Sequence, residues 1–151
     1  MNRKWDIRHL RLCANEIASW SKDASTKVGA LIVRDGKFPV SWGYNGPARL
    51  MPDEHAFFSD REKKLAMTLH AEQNAILNAR QALTGCTLYA TRPPCSNCAA
   101  QIVQTGLARV VWIRPDEAFA ARWAASLELA EWQFNHAGIQ TDVYHIKEIF
   151  P

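Results

Sequence analysis

Four residues in two short strings are spaced to do chemistry together. His70 and Glu72 stand two apart in LHAEQNAIL, residues 69–77, and Cys95 and Cys98 stand three apart in PPCSNC, residues 93–98. Residues three apart on a helix share a face, so a pair at a helix start points both sulfurs the same way. The free N–H groups and the positive dipole end at that start favour thiolate over thiol, and Pro94 suits the opening of a helix. With His70 as a nitrogen donor at the start of another helix, three ligands for tetrahedral zinc are present. A catalytic zinc keeps its fourth position open for water, whereas a structural zinc is closed by a fourth protein ligand. Zinc lowers the pKa of such a water towards ~7. Attack on an aminated ring carbon then needs a group that takes the proton from water and passes it to the ring nitrogen and the leaving amine. Glu72 is the candidate, and it is not expected to coordinate the metal. Two other readings compete: a closed structural zinc with His55 or His136 as fourth ligand, and a redox dithiol, which has no use for the H-A-E string.

Elements must place these strings. Residues 3 to 21 carry Leu10, Cys13, Ile17 and Trp20 on one helical face. VGALIV, residues 28–33, reads as a strand, Asp35-Gly36 as a hairpin turn, and residues 38–44 as the returning strand. Pro39 cannot donate a ladder hydrogen bond, so that strand belongs at a sheet edge. Residues 45–68, with Gly46, Pro47, Pro52 and the run DREKK, read as a long loop. A helix over about 70–83, a strand over 86–91, a helix over about 95–105 stopped by Gly106, and a strand over 109–113 follow. A single long helix over about 116–137 presents Phe119, Trp123, Leu127, Ala130 and Phe134 at spacings of three and four. That stripe reads as core or subunit contact before substrate lid. Gly138 caps the helix and a last strand covers about 141–146. Alternation in the second half implies parallel strands with crossover helices, hence an α/β fold with a three-layer α/β/α sandwich.

Composition sets outer bounds. The 151 residues fit one compact domain, 1–151, and 48% apolar content supports a real core. No stretch approaches the roughly 18 apolar residues of a membrane helix, so no membrane association is expected. A formal charge of +3 without a basic arm argues against a nucleic-acid substrate but suits a small anionic one. The first residues, MNRKWDIRHLRL, show no apolar h-region, so a cytoplasmic protein is expected, and in a reducing compartment the C-x-x-C pair reads as a metal or redox site before a staple.

H-x-E followed by P-C-x-x-C is the signature of zinc-dependent nucleobase deaminases. Over nearly its whole length the chain resembles the cytidine and deoxycytidylate deaminase superfamily. The narrower resemblance to the deoxycytidylate (dCMP) branch rests on four strings: SKDASTKVGALIV from Ser21, GYNGP from Gly43, HAEQNAIL from His70, and PPCSNCAAQIVQTGLARVV from Pro93. Transfer-RNA adenosine deaminases share the zinc strings but look less like this chain around residues 21–27 and at GYNG. The resemblance implies a cytidine deaminase-like five-stranded mixed sheet with an edge hairpin and one catalytic Zn²⁺ per chain. It implies substrate contacts at Ser21, Lys22, Ser25, Asn45, Ala71 and Thr91, with the Ser-Lys-Asp stretch near the nucleotide phosphate. It also implies a homo-oligomer, as the six tryptophans suggest. Two departures matter. The run GYNGPARL has Ala48 and Leu50 where regulated relatives carry Pro and Gly, and residues 46–69 contain no cysteine and only His55. These argue against dCTP/dTTP feedback and against a second zinc. Arg92, before the two prolines, is a phosphate candidate or a solvated loop charge.

The expected function is hydrolytic deamination of dCMP to dUMP and ammonia. The alternatives are a deaminase of free cytidine or deoxycytidine, a base deaminase acting on RNA or single-stranded DNA, and an inactive zinc-binding scaffold, which would have no use for Glu72.

Overall fold

The structure, a computed structural model, describes residues 2–52 and 59–151. The chain starts with helix α1 (Arg3–Leu12), which runs on through a wide π turn at Cys13–Ile17 and a tight turn at Ala18–Trp20. Leu10, Cys13 and Ile17 form the expected buried face. Trp20 does not: it is 46% exposed and stands edge-on to Tyr44. The π turn followed by the tighter turn breaks the 3.6-residue period before the helix reaches it.

Strands β1 (Gly29–Arg34) and β2 (Phe38–Tyr44) form the hairpin. Asp35 and Gly36 both have positive φ, 52° and 68°, as a type I′ turn requires. The sheet order is β2-β1-β5-β6-β7, with β5 (Thr87–Ala90), β6 (Arg109–Ile113) and β7 (Gln140–Tyr144). β1 is antiparallel to both neighbours, and β5, β6 and β7 run parallel, so the sheet is mixed. β2 lies at the edge, where Pro39 belongs, and a register shift falls beside it.

Period-two alternation sorts the sheet's side chains into two layers. Ala30, Ile32, Leu88, Ala90, Val110 and Trp112 face helices α3 (Ala71–Ala79), α4 (Ser96–Gln104) and α6 (Ala124–Ala137). Leu31, Val33, Tyr89, Val111 and Ile113 face α1 and the short α7 (Ile146–Ile149). The result is the expected three-layer α/β/α sandwich with a five-stranded mixed sheet.

Three expectations for this scaffold need correction. Residues 45–68 are not all loop: β3 (Gly46–Pro47) pairs with β4 (Thr68–Leu69), and α2 (Arg61–Met67) is capped by the Asp60 carboxylate. α3 ends earlier than residue 83, because Arg80 takes a left-handed conformation. The long helix over 116–137 is two helices, α5 (Glu117–Arg122) and α6, broken at Trp123 with φ −106° and ψ 11°. Hydrophobic spacing continues through the break, so the stripe does not reveal it. α7, after the last strand, was not anticipated.

Candidate active site

Two helix starts meet at the end of the sheet. α3 lies against β2 because Gly43 has no Cβ: one placed there would collide with the Ala71 carbonyl and the Ala75 amide. His70 is the N-cap residue of α3, and its N–H donates to Gln73 Oε1 at 2.8 Å. That bond fixes the backbone and leaves the imidazole to face the other helix. Cys95 caps α4, its sulfur accepting from the Cys98 N–H at 3.5 Å. The start of α4 is clamped by α6: the Ser96 N–H donates to Ser126 Oγ at 2.9 Å and Gln133 Nε2 donates to the Ser96 carbonyl at 3.0 Å.

His70 Nδ1 then lies 3.5 Å from Cys95 Sγ and 3.4 Å from Cys98 Sγ. The three ligand atoms all fall within 4.8 Å of one another. A tetrahedral zinc with bonds of ~2.3 Å to sulfur and ~2.05 Å to nitrogen separates S from N by roughly 3.6 Å, so the donor set and its spacing fit that ion. Among the described residues the cluster has three members. His136 sits exposed at the end of α6, its ring nitrogen 3.2 Å from the Trp132 carbonyl oxygen, and His55 lies outside the described residues. Without metal the two thiols hold their protons unequally. A hydrogen bond from the Cys98 thiol, helped by His70, brings Cys95 down to about 4, while the neighbouring thiolate and burial push Cys98 up. His70 is raised by its bond to Cys95.

Glu72 is the second residue of α3 and only 3% exposed. Burial raises its pKa above the usual carboxylate range. Its Oε2 lies 3.5 Å from Cys98 Sγ.

His70, Ala71, Glu72 and Cys95 open onto a cavity of about 350 Å³, within the range of small-molecule sites. Ser25 and Asn45 also line it. Asn45 is held on both sides, accepting from the Val28 N–H and donating to the Thr26 carbonyl, each at 2.8 Å. The other expected contacts stand apart. Ser21 is buried and donates to the Asn45 carbonyl at 2.8 Å. Lys22 lines a different groove, with Trp42, Tyr44 and Arg80. The Thr91 hydroxyl accepts from the Gly29 N–H at 3.1 Å, tying the loop before α4 to β1.

Arg61, Lys64, Leu65 and Arg122, which the sequence did not single out, also face the cavity, together with Phe119, Trp123 and Leu127 of the stripe and the phosphate candidate Arg92. Lys64 is neutralised by Asp23 at 2.8 Å, and Asp23 also accepts the N–H groups of Ser25 and Thr26. The aromatic stripe therefore divides: Phe119, Trp123 and Leu127 line the cavity, whereas Ala130 and Phe134 are core. No sequence signal marks this division, because it depends on the break at Trp123.

A His–Cys–Cys trio at two helix starts, with a buried carboxylate beside it on a mixed five-stranded sheet, defines the class of zinc-binding hydrolytic deaminases. The family described as cytidine and deoxycytidylate deaminase zinc-binding region matches residues 3–114, and the chain belongs to that family. It is 41% identical over 140 residues to a deaminase of the luxG 3′ region of Aliivibrio fischeri, with 93% of each chain covered. It is 34% identical over 116 residues to the deoxycytidylate deaminase of Homo sapiens, covering 70% of this chain and 65% of the human one. The fold is similar to that of the dCMP deaminase of cyanophage S-TIM5, solved with dCMP and dUMP: TM-score 0.74 over 95% of this chain and 99% of that one, at 19% identity. Among the described residues no helix is long and apolar enough to cross a membrane.

Proposed function

We propose that this chain hydrolyses dCMP to dUMP and ammonia, with residues 1–151 acting as one deaminase unit. The observation that carries the reading is the buried Glu72 beside a three-donor metal cluster, in a cavity whose rim is rich in cations. His70, Cys95 and Cys98 would hold the zinc, whose chemistry is to make water a nucleophile near neutral pH. Glu72 is the proton carrier: its carboxylate would accept a proton from the attacking water and donate it to the ring nitrogen of cytosine, then carry a second one to the leaving amine. Its raised pKa suits a group that must both accept and release a proton. Asn45, locked by its two bonds, and the backbone at Ala71 orient the nucleotide. Ser25 stands at the mouth.

The names of the relatives support the nucleotide substrate. We further propose a cytoplasmic enzyme, consistent with four unpaired cysteines, and a homo-oligomer. The exposed Trp42, Tyr44 and Leu77, gathered along one groove, support the oligomer.

Ammonia release from dCMP, deoxycytidine and a cytosine-bearing oligonucleotide, measured side by side on the zinc-loaded enzyme, tests the reading. The expected result is that kcat/KM for dCMP exceeds that for deoxycytidine by at least ~10²-fold, the effect of two charge-assisted contacts to phosphate. Equal rates on dCMP and deoxycytidine would refute it in favour of a nucleoside deaminase.

A further inference from the structure

The phosphate contacts expected at Ser21 and Lys22 do not reach the cavity that holds Glu72: one hydroxyl is bonded to the Asn45 carbonyl and the lysine lines another groove. A different set of cations does reach it. We propose that Arg92, seated on Phe119 and accompanied by Arg122, is the anion-binding residue that makes the enzyme select a phosphorylated nucleotide. The inference rests on the dCMP reading and deepens it.

Arg92 lies in the loop between β5 and α4, three residues before Cys95, so the backbone that positions a metal ligand also positions this guanidinium. Its Cζ stands 4.6 Å from the centre of the Phe119 ring, a cation–π distance. Asp116 is 3.8 Å away and its side chain is 67% exposed, so the charge of Arg92 is held in direction but only weakly neutralised. Arg122, six residues on from Asp116, lines the same cavity with no ion pair among the described residues. By contrast, Lys64 is consumed by Asp23. A planar guanidinium held on an aromatic face matches phosphate oxygens better than a mobile ammonium does.

The placement has a structural cause. Asp116, Phe119 and Arg122 lie beyond residue 114, where the match to the family ends. The break at Trp123 lets α5 and the start of α6 share one cavity wall, to which Phe119, Trp123 and Leu127 all contribute. The wall thus lies outside the matched zinc-binding region, and Arg92 joins the two. Phe119 is a positioning residue for Arg92.

The test compares kcat/KM for dCMP and deoxycytidine in the wild type, Arg92→Gln, Arg92→Lys, Phe119→Ala and the remote charge control Arg34→Gln, with zinc content measured for each. Calorimetric binding of dUMP and deoxyuridine supplies a readout independent of turnover. Arg92→Gln should lose about 10- to 100-fold in kcat/KM for dCMP and in dUMP affinity, with deoxycytidine turnover and zinc content unchanged. Phe119→Ala should show a smaller loss of the same kind, and Arg92→Lys should recover only part of the wild-type value. Arg34→Gln, an exposed hairpin residue, should change nothing. A wild-type preference for dCMP that survives Arg92→Gln, or an equal loss on both substrates, overturns the assignment while leaving the dCMP reading intact. A wild type that treats both substrates alike overturns the dCMP reading itself, and this assignment with it.

Discussion

Two carboxylates are buried on opposite faces of the same sheet, and they behave in opposite ways. Asp6 of α1 is 1% exposed and Glu72 of α3 is 3% exposed. Asp6 accepts from Arg109 Nη1 and Nη2, both at 2.9 Å, from the Tyr89 hydroxyl at 2.7 Å and from the Tyr144 hydroxyl at 2.8 Å. Burial works to raise its pKa, but those four donors overcome it and hold the group below its ordinary value. Among the described residues Glu72 has no comparable set: burial outweighs its own backbone N–H, the nearby His70 and a thiol at 3.5 Å, and raises it. Burial alone therefore says little about function. A buried charge with every lone pair answered is a fastening. One left with weak partners beside a cavity is available to reagents, and its distorted proton affinity is useful there. Arg109 extends the fastening by donating Nε–H to Asp142 on β7 at 2.7 Å, so one cluster ties α1, β5, β6 and β7.

Substitutions can break this contrast. The largest effect is expected from Cys95→Ser or Cys98→Ser. Zinc should fall from about one per chain to background by metal analysis, activity should vanish, and thermal stability should drop with the metal. Normal zinc content after either change would disprove the ligand set. Glu72→Ala comes next: kcat should fall by ~10²–10⁴-fold while zinc content and melting temperature are kept. Activity within threefold of wild type would mean another group moves the protons.

Asp6→Asn should do the reverse. Arg109 keeps Asp142 but loses its bidentate carboxylate partner, so unfolding free energy in urea should fall by roughly 1.5–3 kcal/mol, with zinc content and turnover of the folded fraction unchanged. A loss of activity without loss of stability would erase the distinction between the two clusters.

The smallest effect is in pH. The Asp6 pKa is lower folded than unfolded, so its stabilisation is fully present above the ordinary value of 3.8 and is lost as pH falls through the folded value. The stability gap between wild type and Asp6→Asn should therefore be constant near neutrality and narrow only below about pH 4. A gap that closes between pH 5 and 7 would point to a different titrating group.

Much of the scaffold was legible because its signals are local. The Asp35-Gly36 turn, the edge position implied by Pro39 and the alternation within β1 each follow from a few adjacent residues. Where local rules compete, the reading failed. The π turn after Leu12 carried Trp20 out of the buried face, and the break at Trp123 was hidden by hydrophobic spacing that continues straight across it. Of the expected substrate contacts, Ser25, Asn45 and Ala71 line the cavity, whereas Ser21, Lys22 and Thr91 hold other positions.

The sequence by itself determined the metal trio and its carboxylate. His70 with Glu72 and Cys95 with Cys98 are each set by the geometry of one helix start, so a spacing of two or three residues carries the meaning. Only the tertiary structure decided which buried charges are satisfied and which cations face the cavity. Arg109 meets Asp6 across 103 residues of chain, and Arg92 rests on a ring 27 positions further along. Such pairings depend on where the layers come together, and no local spacing encodes them.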